Sequence, residues 1–572
     1  MFDALFTTTT EYQKLSHALS GKGACALFGL PASGRAQVYA ALCRQLDKPL
    51  CIVTPGEAEA TRFAADLNTL GIPTAVFPAR DYVLRPIEGT AREYEYRRLA
   101  VLGELVGGRL RAVAVPAEAL TQFTTPKEDF CANTRTLHTG DTLLRDDLLA
   151  ALFGAGYTRR AQVDGPGQFS VRGDIVDIFA PDQKMPVRME FWGDEIDTLH
   201  TFDLTTQRRE DAIDKFYLSP AREVLFGKPA DAAEQLRAFL AKQRGKKKTA
   251  MADCMAADLD LLDGGAVPVN MDKYLAVRYP RPATVLDYFD DPILVAEEPA
   301  SIREADRATA YRRGEELKSL ILDGVLCAGL DNLYADPSYL WSKTGHYRTI
   351  CAENFARSMP DQPLKDIINA PAHTLPAWNG EVAGLLEDLK PLCDAGYTVT
   401  LLAGTDRAAA GLARDLRDKG ILVTTDAAAT PAAGLVQVLA GHLSAGCEFP
   451  FAKYALLTGR AFGETSSQKK KRKKAKDALN SLTEITPGDL VVHQNHGIGR
   501  YAGIQRMAVQ GVTKDYLRIE YDKKDVLYVP VTQLDLLSRY TAPGDSENVK
   551  LSRLGGAEWT KTRRKVRAAT EQ

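Results

Sequence analysis

The stretch "FGLPASGRAQVYAAL", residues 28–42, decides the fold class. It joins an apolar run, "ACALFGL" (24–30), to a segment with helical spacing, "GRAQVYAALCRQL" (34–46). A glycine-bearing turn between a buried strand and a helix is where doubly wound α/β proteins hold phosphate. Gly29 and Gly34 stand five apart, as in G-x-x-x-x-G-K-[ST]. The next two positions depart from that pattern. Arg35 replaces the lysine that reaches the β- and γ-phosphates, and Ala36 replaces the hydroxyl that holds magnesium. Arginine differs from lysine in shape and reach, and Pro31 removes one backbone N–H from the cradle. The remaining N–H groups suit weak anion binding at a helix N-terminus. Hydrolysis is not expected, and a turn kept for folding is the preferred reading.

Outward from this turn, "PLCIVTPG" (49–56), "TAVFPA" (74–79) and "RAVAVPAEAL" (111–120) read as further buried strands with helices between them. Residues 1–124 are therefore expected to form an open parallel α/β sheet. From 125 to 205 the pattern becomes β-rich, with "GQFSVRGDIVDIFAP" (167–181) and "PVRMEFWGDEIDTLHTFDL" (186–204) pointing to a small α+β insertion. The D-E-x-D within "GDEID" (193–197) reads as an acidic turn and not as a nucleotide-site carboxylate pair. Residues 206–345 return to mixed α/β, with a charged helical stretch at "YRRGEELKSLIL" (311–322). A small α/β domain is expected over 346–465, from strand, loop and helix in "TVTLLAGTDRAAAGLARDL" (398–416) and from the later strands "ILVTTD" and "YALLTG".

A basic linker follows at 466–483, where seven of the eight residues 469–476 are Lys or Arg. Residues 484–545 carry repeated strand signals, and in "YLRIEY" Leu517, Ile519 and Tyr521 share one face. A small β-barrel is expected there. A basic helix over 546–572 closes the chain.

Composition excludes several classes. With 572 residues, 45% hydrophobic and 26% charged, the chain reads as three to five soluble domains. No apolar run reaches the ~18 residues of a membrane helix, and the start lacks a basic segment followed by an apolar one. Nine scattered cysteines without C-x-x-C spacing imply reduced thiols, a cytoplasmic location and no zinc site. His493 and His496 stand three apart but lack a nearby cysteine or carboxylate in sequence, so a strand and tight turn explain them better than a metal.

The segments "GDLVVHQNHGIGRYAGI" (488–504) and "KDYLRIEYDKKDVLYVPVTQLDLLSRY" (514–540) resemble the RNA-polymerase-interacting domain of bacterial transcription-repair coupling factors, a module shared with CarD-type regulators. Residues 157–203 resemble the inserted domain that those factors share with the repair protein UvrB. The resemblance extends over nearly the whole chain. It implies a RecA-like UvrB module with degenerate phosphate loop (1–124 and 206–345), an inserted UvrA-binding domain (125–205), and an SH3- or Tudor-like barrel (484–545).

It further implies two partners. UvrA would be recruited through Arg159, Arg172 and Phe179, with Arg160 and Phe169 nearby. The RNA polymerase β subunit would dock on the edge strand "AGIQRMAVQG" (502–511) through Ile504, Arg506, Met507 and Val509. The competing readings are that Arg172 pairs with Asp174 or Asp177, and that Met507 and Val509 fill the barrel core. UvrB's long aromatic hairpin has no room in "FPARDYVLRPIEGTAREYEYRRL" (77–99), where Tyr82, Tyr94 and Tyr96 are the available rings. Family members continue into ATP- and Mg-dependent motor domains that grip double-stranded DNA. This chain lacks them, so no catalytic residue and no cofactor are expected in it. The rivals are a UvrB-type damage-binding ATPase, disfavoured by Arg35 and Ala36, and a CarD-type regulator, disfavoured by the long upstream region.

Overall fold

The computed structural model describes residues 3–86, 92–355, 362–378, 382–430, 432–459, 487–493, 496–509, 512–522, 525–530, 537–539 and 551–553. The basic linker and nearly all of the expected last helix lie outside them. Among the described residues, no helix is long and apolar enough to cross a membrane.

The strand–turn–helix unit forms as expected: strand Gly23–Phe28 leads through the turn to helix Ala32–Gln45. The strand sits inside a seven-stranded sheet in the spatial order Leu364–Asn369, Gly23–Phe28, Arg348–Glu353, Ile293–Glu297, Leu50–Thr54, Ala112–Pro116, Thr74–Val76. All its pairings are parallel. Helices cover both faces, which is why the central strands read as continuous apolar runs.

Two strands of this sheet follow residue 345, so the domain boundary expected there falls inside the sheet. Parallel strands are gathered by long crossovers, and an apolar run such as "RTICAE" does not reveal which sheet it joins. The six-stranded sheet of the next unit starts later, in the order His373–Leu375, Gly446–Phe449, Tyr454–Thr458, Thr398–Leu402, Val436–Leu439, Val423–Thr424.

The insertion is a six-stranded sheet, Arg209–Ala212, Glu195–Phe202, Val187–Trp192, Ile175–Phe179, Gln168–Arg172 and Thr158–Arg159. Strand Lys215–Leu218 returns to pair with Arg135–His138. The inserted unit thus runs past the expected end at 205. The segment after it is more helical than the mixed pattern suggested. Helices Pro229–Ala241 and Gly245–Asp263 pack Leu236, Met251 and Met255 with Tyr274 and Tyr279. One strand, Ile293–Glu297, then leads into the 24-residue helix Pro299–Leu322, which absorbs the charged stretch 311–322.

A buried ion network joins these units. Arg98 is fully buried; its Nε donates to Glu223 Oε1 at 2.6 Å and its Nη1 to Gln122 Oε1 at 3.0 Å. Glu223, also fully buried, lies 3.2 Å from Arg80 Nε. Arg80 Nη1 donates to Asp272 Oδ2 at 2.7 Å. Glu95 accepts the backbone N–H of Glu223 at 3.0 Å. Removing one member of such a network leaves its partners charged and buried, which costs about 3–5 kcal/mol.

Glu223→Ala is therefore expected to lower stability by about 3–5 kcal/mol in urea unfolding; a change near zero would show the network to be inert. Burial raises the Glu95 carboxyl, but Arg80, then Arg92 and Arg222, more than reverse this and hold it below its ordinary value of 4.5. A depressed folded value contributes stability above that ordinary value and loses it as the pH falls below. Thermal midpoints of wild type should accordingly fall more steeply than those of Glu95→Gln on acidification below about pH 4.5; parallel curves would refute the assignment.

Candidate interaction sites

The phosphate-type loop is filled by protein. Gly29 has φ +87°, and a Cβ there would lie 3.0 Å from the Ala370 carbonyl and from Asn369 Oδ1. The crossing chain bonds to the turn itself: Ala370 N donates to Phe28 O and Ala372 N to Gly29 O, each at 3.0 Å. Gly34 lies inside the helix, where a Cβ would come within 2.8 Å of Cys447 Sγ. Its glycine serves a close approach of strand Gly446–Phe449. Ala36 is buried in the same apolar cluster.

Arg35 turns inward. Its Nε lies 3.1 Å from Glu297 Oε2, and its Nη1 donates to Glu298 Oε1 at 2.9 Å. Arg35 and Glu297 are 3% and 2% exposed, so the pair is sealed from water. The Tyr39 hydroxyl donates to the other Glu297 oxygen at 2.6 Å. Burial pushes the Glu297 carboxyl up, and Arg35 opposes that rise. Glu298 is held at φ +53°, an uncommon conformation for a non-glycine residue. Glu297 ends strand Ile293–Glu297, two strands from the loop strand, and Glu298 holds the N-cap position of the helix that follows. They escaped the sequence reading, although "ILVAEE" (293–298), an apolar run followed by two acids, carried the signal.

In the inserted domain the predicted residues separate. Arg159 pairs in register with Phe169, and Phe179 with Gln168, at one end of the sheet. Arg172 pairs with Ile175 at the other end, about 10 Å along the strand. The aromatic part of the expected patch is mostly core: Phe169 is fully buried and Phe179 packs with Val163 and Phe202. Arg172 is half exposed and donates to Asp177 Oδ2 at 2.6 Å, so the pairing alternative is realised. Arg188 holds the same carboxylate at 2.7 and 2.9 Å.

The Arg172 end also presents Trp192, 82% exposed, and Leu144, 54% exposed. Leu143 N donates to Asp194 O and Arg145 Nη1 to Gly173 O, which brings these loops together. An exposed tryptophan beside arginines is the composition of an interaction hot spot. "FWGDE" shows why it was missed: alternation gives Trp192 an outward face, but burial by a neighbour is not readable from spacing.

The last unit is a five-stranded antiparallel sheet in the order Val526–Pro530, Val512–Glu520, Gly497–Val509, Leu490–His493, Leu537–Arg539. Leu517, Ile519 and Tyr521 are buried together as their alternation required. Strand Gly497–Val509 breaks register between Tyr501 and Ile504, at Gly503 with φ +106°. Beyond that bulge, residues 504–509 pair with 512–517 on one side. Among the described residues, no strand pairs with them on the other side. Ile504 is 46% exposed on this open edge. Arg506, Met507 and Val509 hold register positions opposite Asp515, Lys514 and Val512; their side chains lie outside the described residues.

A sequence profile of the UvrB interaction domain matches residues 136–224, and one of the CarD-like/TRCF RID domain matches residues 485–541. The transcription-repair-coupling factor of Bacillus subtilis (strain 168) is 28% identical over 560 residues, covering 95% of this chain and 47% of that protein. Those of Staphylococcus haemolyticus and Staphylococcus aureus (strain MRSA252) are 28% and 26% identical over 561 and 581 residues. The chain is similar to these transcription-repair-coupling factors over 95–99% of its length. It spans about half the length of these relatives, 47–49%.

A cleft of about 1260 Å³ lies between the unit matched by the UvrB interaction profile and the one matched by the CarD-like profile. Arg159, Arg160 and Phe179 line it from one side, and His496, Leu527 and Arg553 from the other. His493 is fully buried; burial and then His496 lower its basicity to about 4, against the opposing charge of Glu93. The expectation that no carboxylate stands near the two histidines is corrected: Glu93, 400 residues earlier, lies 3.4 Å from His496 Nε2. Only the fold brings such distant positions together.

Arg35→Ala strands Glu297 in the core, and a loss of about 3–5 kcal/mol in unfolding free energy is expected. Unchanged stability would mean that the loop is not built around this pair.

Proposed function

We propose that this chain is the partner-binding part of a transcription-repair coupling machine. The CarD-like domain, an SH3- or Tudor-like barrel in this reading, docks on the β subunit of RNA polymerase stalled at a lesion. The UvrB interaction domain recruits UvrA. The full-length protein adds an ATP- and Mg-driven translocase on double-stranded DNA that releases the polymerase.

The observation that carries the reading is the open strand edge at 504–509 within the CarD-like domain. An unpaired edge accepts a strand from a partner through backbone hydrogen bonds, and the bulge at Gly503 turns it away from the domain's own neighbouring strand. Ile504 supplies an apolar contact on that edge. UvrA recruitment is supported by the exposed Trp192 and Leu144 beside Arg172, which extends the residue set expected from sequence. Nucleotide hydrolysis has no support at the residue 28–36 loop, because Arg35 is spent on Glu297 and Glu298 and the crossing chain at 369–372 occupies the turn.

Ile504→Arg is expected to weaken binding to a purified polymerase β-lobe at least tenfold, about 1.4 kcal/mol, while leaving the thermal midpoint unchanged. Undiminished binding would move the polymerase contact off this edge. Trp192→Ala and Arg172→Ala should each weaken UvrA capture in a surface-binding assay without loss of folding, since Arg188 keeps Asp177 paired. UvrA binding that ignores both substitutions would place the contact at the Arg159 end of the sheet.

A further inference from the structure

We propose that Glu93, His493 and His496 form a binding site for one divalent transition-metal ion, zinc fitting best, which clamps the CarD-like domain to the UvrB-like module. Their ligand atoms all lie within 4.8 Å of one another. His496 Nε2 and Glu93 Oε1 are 3.4 Å apart. Two ligands of a tetrahedral zinc ion with bonds of about 2.0–2.1 Å are separated by about 3.4 Å, so this pair already has the needed spacing. The third ligand, within 4.8 Å of the others, needs an adjustment of about 1.4 Å at most, within the reach of a side-chain rotation.

The backbone explains the convergence. Strand Leu490–His493 ends at His493, which pairs antiparallel with Gly497 at φ +84°. That pairing sets His496 beside His493, with ring centroids 4.6 Å apart. Glu93 enters from the first turn of helix Glu93–Val106. Two imidazoles and one carboxylate favour zinc, cobalt or nickel over the oxygen-preferring magnesium and calcium. Three protein ligands leave a fourth position, and both Glu93 and His496 face the interdomain cleft that would supply water or another donor. Close by, the Tyr521 hydroxyl is buried without a hydrogen-bond partner among the described residues and feels the charge of Glu93. Such a group suits an outer position that orients a ligating carboxylate.

A clamp here would bridge residues 400 positions apart and fix the width of the cleft that holds Arg159 and Phe179. The competing account is a bare His496–Glu93 ion pair that needs no metal.

The test uses the whole chain, stripped with a chelator and titrated with Co²⁺ followed by visible absorption, then with Zn²⁺ by competition. Glu93→Gln and His496→Gln are the variants; both positions are only part-buried, and thermal midpoints of the metal-free proteins check folding. The expected result is one Co²⁺ per chain without a sulfur-to-cobalt charge-transfer band, displaced by Zn²⁺, with affinity at least about tenfold lower in each variant. Three results would overturn the proposal: equal affinity in both variants, a thiolate band showing the ion on cysteines, or no binding at micromolar ion.

Discussion

The arrangement of this chain depends on the buried contact between Glu223 and Arg98. Both side chains are fully enclosed, and each is useful only because the other is present. Glu223 stands where the inserted domain returns to the main body, and Arg98 lies on the helix packed against the parallel sheet. Arg80 extends the contact to Asp272 of the helical unit. Three segments far apart in sequence are thereby held in one geometry by charges that tolerate little displacement. Hydrophobic packing alone would allow more slack, since apolar surfaces of similar shape can repack.

The loop at residues 28–36 shows how a nucleotide-type element becomes scaffold. The strand–turn–helix geometry persists, because it is needed to seat helix Ala32–Gln45 between two sheets. The chemistry is redirected. A cation that could have met phosphate meets Glu297 and Glu298 from inside the protein, and the glycine that could have approached a ligand approaches Cys447. The ring of Phe449 lies 5.0 Å from that of Phe6, on helix Asp3–Thr7, which packs against the strand that carries Cys447. The helix is buried on nearly every side, with Ser33 through Cys43 all enclosed.

The sequence made the local elements legible wherever one period dominated. The strands Gly23–Phe28 and Leu50–Thr54, the helix Asp406–Asp418 and the buried face of Leu517, Ile519 and Tyr521 all stand where their spacing put them. What was not legible depended on contacts between distant positions. Strands Arg348–Glu353 and Leu364–Asn369 joined the first sheet because crossover topology, not composition, selects a parallel neighbour. Phe169 and Phe179 looked like surface aromatics because alternation names a face without saying what covers it. Glu93 was invisible as a site residue, and the signal of Glu297 and Glu298 in "ILVAEE" named no role, for the same reason: an acid reveals its role only when the opposing cation or imidazole is known. Trp192 was the converse, an aromatic left exposed at a hairpin end.

The proposed function requires one chain to hold two partners on separate faces at once. It is tested most directly by sedimentation velocity on an equimolar mixture of the chain, UvrA and a polymerase β-lobe. The account predicts a ternary species heavier than either binary complex. Two binary complexes that exclude one another would contradict it, and would mean that the two faces overlap or that binding one partner closes the other.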